Sequence, residues 1–150
     1  MNFKSMLMFS GLVCFALAFF QVVIGFFPSV SLYFGAPEAL TENLGALILT
    51  SFVVASLLAG LGCYALSGAG FFSPFPALKP VLVFTGLLFV LRGLAVVPEI
   101  FVVFGLLESS IPVAPRFLFF SLGALALGVF FLHATRIGWA HFPARGTGAK

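Results

Sequence analysis

VLVFTGLLFVLRGLAVVPEIFVVFG, residues 81–105, decides what kind of protein this is. The stretch is long and apolar enough to cross a bilayer, whose hydrocarbon core takes about 20 residues of helix. Yet it carries Arg92, Pro98 and Glu99 within its length. A charge at membrane depth costs roughly 2.5–3.5 kcal/mol on insertion scales, so the chain must shield these groups with protein. From Val81 to Arg92 a helix rises about 16 Å, which puts the guanidinium near mid-membrane. Glu99 follows about 10 Å further along almost the same face. Helical side chains lean toward the N-terminus, so Arg92 leans away from Glu99 and a direct pair requires both to stretch. Comparable depth nominates Gln21, Ser51, Ser56 and Ser121 as partners on other helices. Pro98 marks a kink, because its missing N–H frees the carbonyl of Leu94.

The rest of the chain agrees with a membrane reading. Of its residues 62% are hydrophobic and only 7% charged, with a mean hydropathy of +1.25. A soluble domain needs about a quarter of its residues charged. The expectation is therefore an all-α, polytopic membrane protein, a single bundle of four transmembrane helices spanning 6–27, 44–66, 81–105 and 116–135. A polar cytoplasmic tail, 136–150, completes it. The net charge of +3 comes from scattered cations that form no basic stripe, so nucleic acid is not an expected partner. The 22 phenylalanines read as lipid-facing and helix-packing bulk.

The first apolar run exceeds the roughly 7–15 residues of a signal-peptide core, and it ends in GFFPSV rather than a small-residue cleavage site. It reads as a retained span. Gly11, Cys14, Ala18, Gln21 and Gly25 recur at three- and four-residue spacing, on one face where backbones can approach closely. The second span carries two such stripes, Ser51-Ala55-Ala59-Gly62 and Ser56-Gly60-Cys63, which predicts packing on two sides. Ser121, Ala124 and Gly128 give the fourth span its own face. Residues 29–43 read as a loop with Thr41 or Asn43 capping the next helix. The glycine- and proline-broken SGAGFFSPFPALKP, residues 67–80, reads as a tight turn. It lacks the lysine and serine of a phosphate-binding loop.

With four spans, both termini and the middle turn share one side, which holds Lys4, Lys79, Arg136, Arg145 and Lys150. The other side holds Arg116 alone. This bias predicts an inner-membrane protein with cytoplasmic N- and C-termini. It also argues against a dual-topology exporter of the small multidrug type, which needs a balanced count. Trp139 stands where an interfacial anchor is expected.

FSGLV at 9–13 echoes FTGLL at 84–88, and GCYAL at 62–66 weakly echoes GVFFL at 128–132. Two parallel helical-hairpin repeats, related by an axis along the membrane normal, would account for this. Apolar helices also resemble one another through composition alone.

No HExxH, GxSxG or paired aspartates occur, so no catalytic residue and no enzyme activity are expected. Cys14 and Cys63 read as packing thiols. His133 and His141 lack the clustered ligands of a metal site, and no cofactor is expected. The buried polar cluster then has three readings: a clasp that fixes helix register, a contact to a partner, or a ligand site. Two functions follow, a non-enzymatic accessory or assembly subunit and an oligomeric transporter or channel subunit for a small solute or ion. The expected partners are the lipid bilayer and another membrane protein, or a second copy of the chain.

The segment from YALSGAG to the RG at Arg92 and Gly93, followed by Pro98, resembles small uncharacterised four-span membrane proteins of bacteria. The resemblance covers roughly the middle quarter of the chain. It implies the four-span plan and no activity.

Overall fold

The computed structural model describes residues 2–106 and 114–142, and these form helices only. Four are long and apolar enough to cross a membrane: Phe3–Ile24, Leu44–Ala69, Leu78–Val103 and Arg116–His141. The protein is a four-helix bundle of multi-pass membrane type.

The first helix, α1 (Phe3–Ile24), opens with Asn2, whose side chain accepts a hydrogen bond from the Lys4 N–H. Two short helices follow, α2 (Pro28–Tyr33) and α3 (Glu38–Thr41), where the sequence predicted a plain loop. Six and four residues are too few to show helical periodicity. Asn43 then caps α4 (Leu44–Ala69), accepting from the Ala46 N–H at 3.1 Å. That helix runs beyond the predicted end at 66, because the Ser67 hydroxyl closes the turn that follows. It donates to the Ser73 carbonyl and accepts from the Phe75 N–H. Gly70 ends α4 at φ +92°, a left-handed conformation that favours a residue without Cβ.

The third span divides into α5 (Leu78–Leu94) and α6 (Val96–Val103). It begins at 78 rather than 81, since Pro80 falls within the first turn, where its absent N–H costs no helical bond. The last span, α7 (Arg116–Gly138), continues past the predicted boundary at 135 into a 3-10 turn, Trp139–His141. Phe142 lies buried, edge-on against Phe3. The polar tail expected from 136 is therefore bundle as far as 142, and the remainder, 143–150, lies outside the described residues.

Two antiparallel hairpins result, α1 with α4 and α5–α6 with α7. Small residues let each close tightly. A Cβ on Gly11 would lie 3.1 Å from the Gly62 carbonyl oxygen, and one on Gly86 would lie 2.7 Å from Leu132 Cδ2. The shared core forms at one end of the bundle, around Phe3, Leu7, Leu82, Phe131 and Phe142. Lys4 and Lys79 occupy this same end, with Lys79 5.2 Å from the Trp139 ring centroid. At the other end Arg116 lies 4.0 Å over the Tyr33 ring and donates from Nε to the Tyr33 carbonyl at 2.8 Å.

The small-residue faces are unequal. On α1, Gly11, Cys14, Ala18 and Gly25 are buried, and on α7 Ser121 and Gly128 are too. On α4 only the stripe through Ser51, Ala55 and Gly62 is packed. Ser56 and Gly60 are exposed, so the second predicted stripe meets no neighbour among the described residues. Large apolar side chains cover the outside, Phe19 at 72% and Phe119 at 77% exposure. Such a surface suits lipid.

Candidate functional site

The polar residues picked out by depth do not form one cluster. Arg92, Glu99 and Ser121 come together where the third span breaks. Ser121 is fully buried on α7, and its Oγ accepts from Arg92 Nη1 at 2.8 Å. The same Nη1 stands 3.6 Å from Glu99 Oε1.

The pair spans the break in the third span. At the end of α5 the Ala95 N–H reaches only to the Arg92 carbonyl, at 3.4 Å, a tighter turn than α-helix. The chain restarts as α6 with Pro98 at its third position. There the missing N–H is one of four that a first turn leaves without a helical partner. Glu99 falls at the head of this new helix, with its N–H bonded to the Ala95 carbonyl. A carboxylate is favoured near a helix N-terminus. Seven residues of straight helix set the two backbones about 10 Å apart along the axis, and the side chains reach across the break to 3.6 Å.

The two charged side chains have opposite surroundings. Glu99 is 13% exposed, and its Oε2 is buried with no hydrogen-bond partner among the described residues. The Arg92 side chain is 51% exposed. It lies fourteen residues after Leu78 in a candidate span of 26, near the middle of that span.

Gln21 and Ser51 are elsewhere. They line a cavity of about 190 Å³ between α1 and α4, closed over by Ser31, Phe34 and Leu40 of the α2–α3 segment. Ser56 faces outward from α4 and joins neither group. Ser31 was not singled out by the sequence, yet its Oγ donates to the Ile24 carbonyl at 2.7 Å and tethers α2 to the end of α1. Only its place one turn beyond a helix-ending proline hinted at such a role. Among the described residues no three His, Cys, Asp or Glu side chains converge as metal ligands.

Chemically, the break offers the guanidinium of a half-exposed arginine, held through Nη1 by Ser121 and Glu99. No family model, no curated protein and no solved structure matches the chain.

Proposed function

We propose that this chain is a non-enzymatic accessory or assembly subunit of the inner membrane, with cytoplasmic N- and C-termini, that binds another membrane protein. The observation that carries the reading is the half-exposed Arg92 side chain in the middle of a span. An arginine exposed to lipid is costly even when one of its nitrogens is paired, and such residues ordinarily face a bundle interior, a water-filled cavity or a partner. A partner's helix against α5 and α7 relieves that cost. The orientation rests on the basic residues at the end bearing Lys4 and Lys79, against Arg116 alone at the other. The test is purification of the full chain in mild detergent with its mass determined intact. The expected result is a stoichiometric complex with a different membrane protein, lost when Arg92 is replaced by leucine. A monomer of unchanged mass in both cases overturns the reading.

A second reading, an oligomeric transporter or channel subunit for a small solute or ion, draws on one observation. Glu99 Oε2 is buried beside the break without a hydrogen bond among the described residues, and intramembrane carboxylates of this kind serve proton and cation pathways. A homo-oligomer stabilised by an added cation would favour it.

A further inference from the structure

The two hairpins repeat one another in register. Take Gly11 with Gly86, and Gly62 with Gly128, as anchors, and count along each helix from there. A Cβ on Gly11 would meet the Gly62 carbonyl oxygen and Leu66; on Gly86 it would meet the Gly128 carbonyl oxygen and Leu132. A Cβ on Gly62 would meet Phe15 and the Gly11 carbonyl oxygen; on Gly128 it would meet Val90 and the Gly86 carbonyl oxygen. Every contact partner is the counterpart of its equivalent. Burial follows the same register: Leu7 and Leu82 are both at 0% exposure, Ser10 and Thr85 both at 0%, while Phe9 and Phe84 are at 52% and 59%. Similar composition gives similar residues, but it does not give the same contacts at the same positions. The two hairpins share one packing register.

In that register the three residues at the break are polar where the first hairpin is apolar. Arg92 stands opposite Leu17, Glu99 opposite Ile24, and Ser121 opposite Ala55. The first hairpin closes with the apolar set, and Ile24 and Ala55 are buried as Glu99 and Ser121 are nearly or fully buried. A polar set is not needed to hold a hairpin in this register. We infer that the Arg92 face of α5 and α7 is a docking site for a foreign transmembrane helix that presents a carboxylate at mid-depth. The inference rests on the accessory-subunit reading and names the chemistry of its partner.

Three observations carry it to that occupant. The Arg92 side chain is half exposed, and both of its contacts among the described residues use Nη1, so Nη2 and Nε have no partner among those residues. A planar fork matches a carboxylate in two parallel hydrogen bonds. Among the described residues a second copy of the chain has no such group to offer: Glu38 and Glu42 belong to the α3 segment outside the spans, and Glu99 is covered.

The test uses the full chain in lipid vesicles and a synthetic leucine helix of about 20 residues carrying one central aspartate, with an all-leucine helix as control. Association is read by energy transfer between labels. The key variant carries Arg92→Leu, Glu99→Ile and Ser121→Ala together, the residues of the first hairpin. It is expected to keep its Tm within about 2 °C and to bind the aspartate helix about tenfold more weakly than the parent, as one interhelical polar contact allows. Equal binding by parent and variant, or by the two peptides, overturns the docking site while leaving the accessory reading to its own mass measurement. A large fall in Tm overturns the inference too, since the three residues would then be a clasp. Arg92→Lys separates fork from charge: it keeps the cation and is expected to lose part of the binding.

Discussion

The α1/α4 hairpin and the α5–α6/α7 hairpin solve one packing problem at two separations. In the first, the position before the last turns is Ala18, buried with its methyl group accommodated. Its counterpart in the second is Gly93, where a Cβ would fall 2.5 Å from the Cα, N and Cβ of Leu125. The second pair of helices is thus closer at the level of Arg92, and that approach lets Nη1 reach Ser121 across to α7. The first hairpin ends in one unbroken helix, with the Ile24 carbonyl met by Ser31. The second breaks at Ala95 and turns a carboxylate inward instead. Close approach and a broken helix buy a polar site at membrane depth; wider spacing and a continuous helix leave only packing.

The sharpest way to break this comparison is Gly93→Ala. The atoms in the way are backbone, which cannot swing aside, so the expected loss is about 1–3 kcal/mol or more, read as denaturation in mild detergent. The mirror change, Ala18→Gly, should cost only about 0.5–1 kcal/mol through backbone entropy and lost packing. If the two cost the same, the second hairpin is not the closer one.

Next in size is the pair Gly62→Ala and Gly128→Ala. At Gly128 the new methyl would sit 2.6 Å from Val90 N and 2.8 Å from the Gly86 carbonyl oxygen. At Gly62 its nearest neighbours are the Phe15 ring at 3.0 Å, which can tilt, and the Gly11 carbonyl oxygen at 3.1 Å. Both variants should be destabilised, Gly128→Ala by the larger amount, in the same detergent measurement. A reversed order would contradict the difference in spacing.

Much of this was legible in the residues, for a physical reason. Long apolar runs have one stable form in lipid, so the four spans and the packed faces through Gly11, Ser51 and Gly128 could be placed from hydropathy and spacing. Ser56-Gly60-Cys63 could not, because small residues permit close packing without showing that a neighbour is there. Gln21 and Ser51 share a depth with Arg92 but lie in the other hairpin, and depth alone carries no lateral position. The Arg92–Glu99 approach was hidden by treating the span as straight. Pro98 was the available signal, and it stands in the first turn of α6, where the helix restarts with Glu99 near its head.

Ser31→Ala sharpens the contrast between the helix ends. It removes a buried hydroxyl donor to the Ile24 carbonyl, and such a bond is worth about 1 kcal/mol. The expected loss is of that size, confined to the α1/α4 hairpin, and is best read by hydrogen exchange at the end of α1. Unchanged protection there would mean that the α2 segment is tethered by other contacts, with the Arg116–Tyr33 latch as the next to remove.

The smallest expected effect is at Gly60 and Gly123, and it checks which surfaces the two hairpins leave to lipid. A Cβ at either position would meet nothing within 4 Å. Substitution by alanine therefore adds no clash, and a helix interior prefers alanine to glycine by as much as about 1 kcal/mol in water. In a bilayer that preference is reduced, because the exposed backbone of glycine has no water to gain there. Both variants should be as stable as the parent or slightly more so, in thermal denaturation with mild detergent. The comparison with Gly93 is what gives the result its meaning, since the same added methyl is harmless on the outside of a hairpin and disruptive inside one. A clear loss at Gly60 alone would show that the stripe on α4 is a packed surface after all, covered by something other than the residues of this bundle.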